Sequence, residues 1–423
     1  MSERAPFLST AYSAYHHRER PAEDEELTRV GPGAPCGEYL RRFWQPVILS
    51  SELGELPRRL RILGEDLVAF RDKGGAIGLL ELHCPHRGTS LEFGLIGDKG
   101  IRCCYHGWLF DCDGTILETP GEPADSTLKD RLFHGAYPVR EYNGLVFAYM
   151  GPPDRQPDFP ILDTYELPGY RQIARAPTLW ECNWLQVKEN SMDPAHLAFL
   201  HTLPGSEGFT DDFKELGEWD WMETPVGMVY IDTRRQDDRV WVRVADFLLP
   251  NIHQFPPNAD PMALRNSVNR PMATTWAVPL DDTHTMQIGY YRAPEGKAFR
   301  QGSGFGQDAS RSYEERQRVP GDYDAQVSIH GGVARHGLEH LAATDRGIIM
   351  MRNLIRRGIR AVRNGEELGY PILKNGEALP TYSHDRVVSG IPPASTPEED
   401  RRLLREVARN VVAQTVKAGS AEA

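Results

Sequence analysis

The sequence predicts an α+β protein in which a small all-β domain precedes a larger domain that combines an antiparallel sheet with helices. Three observations support this prediction. Short apolar runs alternate with turn residues over residues 43–150, as in small all-β domains. A Pro-rich segment at 151–160 interrupts the strand pattern and marks a domain boundary. Beyond it, hairpins occur together with helical segments, so we expect a second domain over 151–423 and an N-terminal segment over 1–42.

Composition and charge exclude several classes of function. The chain has 423 residues, of which 40% are hydrophobic and 26% charged, as in an ordinary globular protein. Its net charge of −12 argues against a nucleic-acid partner. No signal sequence and no apolar run long enough to span a membrane is visible, so we expect a cytoplasmic protein without a membrane partner. Three cysteines are expected to be buried small residues rather than ligands: Cys104, Cys112 and Cys182.

The elements of the first domain follow from local patterns. Residues 38–44 are expected to form a short helix, with Pro46 after it. A glycine-containing turn at 71–76 separates two of the strand patterns. The predicted strands are 60–63, 67–70, 77–82, 108–110 and 145–149.

Two short segments of this domain each offer one thiol and one imidazole. The first is Cys84-Pro-His86, and the second, after an interval of sixteen residues, is Cys103-Cys-Tyr-His106. Thiolate and imidazole are ligands of iron–sulfur clusters and of zinc. In a [2Fe–2S] cluster of the Rieske type, two histidines replace two cysteines on one iron. A structural zinc site with two cysteines and two histidines is the alternative, but such sites usually begin with a Cys pair, whereas each loop here mixes Cys with His.

These residues resemble the cluster-binding loops of Rieske iron–sulfur proteins, including Gly88 and Gly107 just after the histidines. The resemblance implies a Rieske [2Fe–2S] cluster. Cys84 and Cys103 would hold one iron, and His86 and His106 the other.

The second domain opens with a further group of potential ligands, Asp193, His196 and His201. Positions three apart share a helix face, but positions five apart do not, so the two histidines converge only if the helix ends or distorts between them. Pro204 nearby permits such an ending, and Asp193 before Pro194 suits a helix N-cap. Two histidines and one carboxylate form the facial triad of non-haem Fe(II) oxygenases. Alone, a pair of histidines is a weak signal.

The order of the two motifs is similar to that in the catalytic subunits of Rieske non-haem iron oxygenases of the phthalate dioxygenase type, a branch that includes aryl O-demethylases. The resemblance covers most of residues 30–350 and implies a helix-grip catalytic domain with a mononuclear Fe(II). In similar oxygenases an acidic residue precedes a segment like Leu338-Glu-His-Leu341, which favours Asp322 as the third iron ligand and leaves Asp324 as the alternative.

The resemblance also implies a function and partners. The chain would be a terminal oxygenase component that uses O2 to hydroxylate an aromatic carboxylate, by ring dihydroxylation or O-demethylation. An NAD(P)H-dependent reductase, with or without a ferredoxin, would supply electrons. The assembly would be a homotrimer or a hexamer of stacked trimers, in which Asp193 bridges His196 to His106 of the neighbouring chain. A Rieske-type electron carrier and a zinc-stabilised binding module remain as alternatives.

The rest of the second domain contains two predicted hairpins and two predicted helices. The strands 228–233 and 240–245 would pair across a turn at 234–239, and the strands 274–278 and 286–291 across Asp281-Asp282. A helix is expected from Thr344 to about Asn364, and another starts at Pro397 behind the cap residue Thr396. Candidate partners for a substrate carboxylate are Arg243, Arg265 and Arg270.

Overall fold

The structure is a computed structural model that describes residues 11–16, 21–203, 211–257, 270–298, 310–368 and 378–421. The chain divides into two compact units. The smaller consists of residues 30–157 and 278–281, and the larger contains the described parts of 1–29, 158–277 and 282–423. The smaller unit therefore extends beyond the 43–150 expected from strand patterns.

Hydrogen bonds outside the sheets of the smaller unit hold its additional segments. The backbone amide of Leu63 donates to the carbonyl of Pro279 at 2.9 Å. Arg41 donates to the carbonyls of Val30 and Leu63 and pairs with Glu65 at 2.7 Å. Strand patterning does not reveal such contacts, because they involve irregular backbone.

The smaller unit contains three antiparallel sheets, with the orders β1-β10-β9, β2-β3-β4 and β5-β6-β7-β8. Helix α1 (Glu25–Thr28) is a single turn that belongs to the larger unit and precedes the smaller unit in the sequence. The smaller unit contains helix α2 (Pro35–Leu40). The predicted helix at 38–44 is therefore placed too late, since Trp44 already begins a strand. The strands are β1 (Trp44–Leu49), β2 (Arg58–Ile62), β3 (Glu65–Arg71), β4 (Ile77–Glu81), β5 (Leu95–Ile96), β6 (Ile101–Arg102), β7 (Leu109–Phe110), β8 (Ile116–Glu118), β9 (Val139–Tyr142) and β10 (Leu145–Tyr149).

The larger unit is built on an eight-stranded sheet with the order β11-β17-β16-β15-β14-β13-β12, in which β18 also pairs with β14. The strands are β11 (Tyr170–Trp180), β12 (Glu218–Thr224), β13 (Gly227–Gln236), β14 (Arg239–Leu248), β15 (Ile252–Phe255), β16 (Ala273–Pro279), β17 (Thr285–Pro294) and β18 (His384–Ser389). Both predicted hairpins are present. The turn between β13 and β14 is shorter than predicted, because only Asp237 and Asp238 separate the strands.

In addition to α1, the described part of the larger unit contains six α-helices, as expected for an α+β fold of the helix-grip type. They are α3 (Trp184–Asn190), α4 (Ala195–Phe199), α5 (Tyr313–Arg318), α6 (Asp322–Val327), α7 (Arg346–Arg363) and α8 (Pro397–Ala421). Both α7 and α8 contact β12 and β13. The predicted cap of α8 is present, since Thr396 Oγ1 accepts the amide of Glu399 at 3.2 Å. Within the described ranges, no helix is both long and apolar enough to cross a membrane.

Candidate metal centres

The two cysteine–histidine loops of the smaller unit have the same backbone hydrogen bonds. Each loop has a tip of six residues. The β-bridge His83–Ser90 closes the first tip, and the strand pair Arg102–Leu109 of the β6–β7 hairpin closes the second. In each, the amide of the cysteine donates to the carbonyl five residues on, at 2.9 Å for Cys84 and 2.8 Å for Cys103. The cysteine carbonyl accepts from the glycine four residues on. The sequence therefore supplies two matched arms that present one thiol and one imidazole each.

Glycine is required at the turn of both loops. Gly88 has φ 77° and Gly107 has φ 75°, in the left-handed region that side chains with a Cβ disfavour. Their amides donate to Cys84 and Cys103 at 2.8 and 3.1 Å, so the turn also fixes the backbone that carries each thiol.

The thiols lie inside the unit, whereas the imidazoles lie towards its surface. Cys84 and Cys103 are each 2% exposed and belong to the apolar core around Trp108. Burial, together with the neighbouring Cys103, raises the pKa of Cys84 to about 11. The rings of His86 and His106 are 4.5 Å apart, and Trp108 stacks on His86 at 4.9 Å.

The four side chains form two pairs that suit a binuclear cluster. The thiols of Cys84 and Cys103 interact with each other, and the rings of His86 and His106 are neighbours. In a Rieske-type cluster two cysteines hold one iron and two histidines hold the other, so this donor set fits such a cluster. Cys104, which we expected to be buried, is exposed and takes no part in the core.

The larger unit brings His196, His201 and Asp322 together. Their ligand atoms all lie within 4.8 Å of one another. Helix α4 carries His196 and ends at Phe199, so that His201 follows the helix end and its ring lies 5.2 Å from that of His196. The ending that the five-residue spacing requires is therefore present. Pro204, which was expected to permit it, lies outside the described residues.

The spacing of these atoms suits a metal ion. Asp322 Oδ1 lies 3.3 Å from His201 Nε2 and 3.7 Å from His196 Nε2. For metal–ligand bonds of about 2.0–2.2 Å, adjacent ligands are expected roughly 3 Å apart. Two imidazoles and one carboxylate leave coordination positions open, as in the facial triad.

The structure places Asp322, and not Asp324, beside the histidines. Asp324 pairs with Arg311 at 2.6 Å and with Arg316 at 2.5 Å, and accepts the amide of Gly321. Both of its oxygens therefore serve the start of α6.

Neighbouring groups keep Asp322 ionised and orient the ligands. Burial opposes ionisation, but the hydrogen bond from His201, the charge of His196 and Asn190 Nδ2 at 3.2 Å outweigh it, so the pKa of Asp322 lies below its usual value. The Nδ1 atom of His196 contacts the main-chain carbonyl of Asp193, which leaves Nε2 for a metal.

The carboxylate of Asp193 has a different contact from the one expected. Its Oδ1 accepts the amide of Ala195, the first residue of α4, at 2.8 Å, while its carbonyl, rather than the carboxylate, contacts the His196 ring. Burial raises the pKa of Asp193. The side chain is only half-buried, so part of it is accessible from outside the chain.

A cavity of about 140 Å³ lies beside the triad. Its wall includes Lys188, Arg175 and His253, which the sequence analysis missed. The available signal for Lys188 was its position three and four residues after Leu185 and Trp184, on the apolar face of α3, whereas no motif marks His253.

Two of the three arginines proposed as partners of a substrate carboxylate are already paired with carboxylates of the chain. Arg243 lines the cavity, but it is bound to Asp385 at 3.3 Å and to the carbonyl of Pro257. Arg270 is paired with Asp163 at 2.6 Å. Arg265 lies outside the described residues.

Comparisons with known proteins agree with both centres. A family model described as the Rieske [2Fe-2S] domain matches residues 43–142. The chain is 42% identical to the tert-butanol monooxygenase / tert-amyl alcohol desaturase oxygenase subunit of Aquincola tertiaricarbonis, over 98% of this chain and 94% of that protein. It is 38% identical to the phenoxybenzoate dioxygenase subunit alpha of Ectopseudomonas oleovorans, over 86% and 92%.

A solved structure supports the fold. The structure of dicamba monooxygenase bound to dicamba superimposes with a TM-score of 0.61 at 19% identity, over 77% of this chain and 99% of that chain. Taken with the family match and the two curated relatives, it shows that this chain belongs to the Rieske non-haem iron oxygenases, as an oxygenase subunit with a [2Fe–2S] cluster and a mononuclear iron.

Proposed function

We propose that this chain is the terminal oxygenase component of a system that hydroxylates a small aromatic carboxylate. The observation that carries the proposal is the cavity beside the His196, His201 and Asp322 group. An engineered cavity of roughly 150 Å³ accepts one benzene ring, so a space of about 140 Å³ suits a substrate of similar size.

Each centre has its own residues in this proposal. His196, His201 and Asp322 would hold the mononuclear iron, and Cys84, Cys103, His86 and His106 the cluster. When bound, the two centres supply O2 activation and one-electron transfer. The chain itself orients the ligands: Asn190 donates a hydrogen bond to Asp322, and the carbonyl of Asp193 contacts the ring of His196. The family match at 43–142 supports a cluster domain at 43–150 and a catalytic domain at 151–423, with 1–42 as an N-terminal segment.

Electrons must come from another protein in this proposal. An NAD(P)H-dependent reductase, with or without a ferredoxin, would reduce the cluster. The oxygenase would act as a homotrimer or as a hexamer of stacked trimers, and Asp193 would bridge His196 to His106 of the neighbouring chain. The half-buried carboxylate of Asp193 supports this role, because it remains partly accessible.

A second class of substrate is a small tertiary alcohol. The relative with 42% identity is named for tert-butanol and tert-amyl alcohol, whereas the relative with 38% identity is named for phenoxybenzoate. We favour the aromatic carboxylate because the cavity wall contains basic side chains.

Substrate-dependent O2 uptake tests the proposal. The purified holoenzyme, with a surrogate reductase, is offered phthalates, methoxybenzoates, biaryl carboxylates and tert-butanol. We expect uptake and a hydroxylated or demethylated product with at least one aromatic carboxylate. Uptake with tert-butanol alone would favour the second class and contradict the first.

A further inference from the structure

Lys188 is a buried amine in the wall of the cavity beside the metal-binding group. Its side chain is almost fully enclosed, with 1% of the residue exposed. Its Nζ has no hydrogen-bond acceptor in the described part of the chain. A buried polar group without a partner destabilises a protein by about 1–3 kcal/mol, and a charged group by more. Such a group calls for a reason other than stability.

The other polar side chains of α3 have partners, which sets Lys188 apart. Gln186 donates to the carbonyl of Gln326 at 2.8 Å and accepts the amide of Ala334 at 2.8 Å. Glu189 is paired with Arg352, and Asn190 donates to Asp322. The other polar side chains of this helix therefore have fixed partners, whereas Lys188 lines the cavity and its buried amine has none.

The described residues that line the cavity offer Lys188 no free negative charge. Among the described residues that line the cavity, Asp322 is the one carboxylate, and the histidine pair already engages it. Arg175, 8% exposed, adds a second positive charge to the wall. Burial and the charge of Lys188 hold the pKa of His253 well below its usual value. The charge of the cavity wall is thus complementary to a negatively charged ligand.

We propose that Lys188 is the anchor for the carboxylate of the substrate. An ammonium group donates three hydrogen bonds, and pairing with a carboxylate restores the solvation that burial removes. The ion pair would place the rest of the substrate in the cavity next to His196 and His201. This inference rests on the proposed function for its setting, but it concerns the charge of the substrate and not the reaction.

The wild-type protein already tests this inference. Binding to the holoenzyme is measured by calorimetry at pH 7, in a buffer free of carboxylates, with four probes: benzoate, benzamide, pivalate and tert-butanol. Benzoate and pivalate carry the charge, and benzamide and tert-butanol are their neutral counterparts. We expect each carboxylate to bind at least about tenfold more tightly than its neutral counterpart. Equal or tighter binding of the neutral probes overturns the inference.

Variants then assign the discrimination to Lys188. Lys188→Met removes the charge and keeps a long apolar side chain, and Lys188→Arg keeps a charge. The matched control is Lys73→Met, at an exposed lysine of the smaller unit. We expect Lys188→Met to lose at least tenfold in affinity for benzoate and pivalate without losing affinity for benzamide, and Lys188→Arg to lose less. An equal loss for charged and neutral probes, or no loss, contradicts a role as an anchor.

The outcomes separate this inference from the proposed function. Tight binding of pivalate but not of benzoate contradicts an aromatic substrate and leaves the anchor intact. Turnover of aromatic compounds that bind equally well with and without a carboxylate contradicts the anchor and leaves the oxygenase function intact.

Discussion

His201 Nε2 lies 3.3 Å from Asp322 Oδ1, although the two residues come from distant segments of the sequence. The contact joins the segment after α4 to the first residue of α6, and the same oxygen lies 3.7 Å from His196. One carboxylate oxygen therefore faces both imidazoles, which is the arrangement that a shared metal ion requires.

A pair of variants at the start of α6 tests which carboxylate holds the iron. We expect Asp322→Asn to lose most of the mononuclear iron, because an amide oxygen is a weaker ligand than a carboxylate. Asp324→Asn should keep the iron but lower the free energy of unfolding by about 1–3 kcal/mol, since Arg311 and Arg316 lose a charged partner. Iron analysis with thermal unfolding measures both. Iron loss from the second variant alone would reverse the assignment.

A ligand exchange tests the cluster site. His106→Cys should still assemble a cluster but lower its reduction potential, towards the roughly −400 mV of clusters with four cysteines, because thiolate donates more charge than imidazole. Redox titration gives the potential. His284→Cys, at an exposed histidine of the larger unit, should leave it unchanged. An unchanged potential in His106→Cys would show that His106 is not a ligand.

Asp193 is tested by a change that keeps its capping ability. Asparagine is as good a helix cap as aspartate, so Asp193→Asn should keep both metals and lose well under about 1 kcal/mol of stability. If the carboxylate bridges two subunits, turnover should nevertheless be largely abolished. Oxidation of the reduced cluster is followed in a single turnover with substrate and O2. If the cluster of the variant is oxidised at the wild-type rate, Asp193 acts only as a helix cap.

The buried amine of Lys188 predicts a pH dependence of stability. Burial lowers its pKa from 10.5 to about 7, so between these values the folded protein binds fewer protons than the unfolded one. The wild type therefore gains stability as the pH rises through this window, by up to about 5 kcal/mol. Lys188→Met has no amine at this position and so lacks this pH dependence. The variant should exceed the wild type in free energy of unfolding most near pH 7, and the difference should shrink towards pH 10.5. Thermal unfolding without carboxylate buffers measures it. A margin that does not depend on pH, as expected for Lys73→Met, would contradict the prediction.

The sequence indicated candidate ligands most clearly where they lie close together in the chain. Cys84 with His86, and Cys103 with His106, lie within single turns, so ligand chemistry and spacing were enough to propose them. His196 and His201 were also visible, and the required end of the helix could be stated in advance. Asp322 was different, since only the family resemblance favoured it over Asp324. Its distance to the histidines depends on how α6 packs against α3.

The wall of the cavity could not be predicted in the same way. Lys188 and His253 come from a helix and a strand whose inward faces are set by tertiary packing, and a lysine is usually exposed. Arg243 was a candidate, but the sequence does not reveal that Asp385 occupies its guanidinium group. The strand pairs of the larger unit were predictable from alternating patterns, whereas the irregular segments that Arg41 ties to the smaller unit were not.

The most direct test of the central claim is a single turnover of the reduced holoenzyme. The protein is reduced without a reductase, mixed with O2 and the carboxylate that most stimulates O2 uptake, and followed by cluster absorbance and product analysis. We predict that substrate accelerates oxidation of the cluster, that hydroxylated product or formaldehyde forms in the same time course, and that His196→Ala abolishes both while retaining the cluster spectrum. Oxidation at the same rate without substrate, or product from the His196→Ala variant, would contradict an oxygenase whose chemistry occurs at this site.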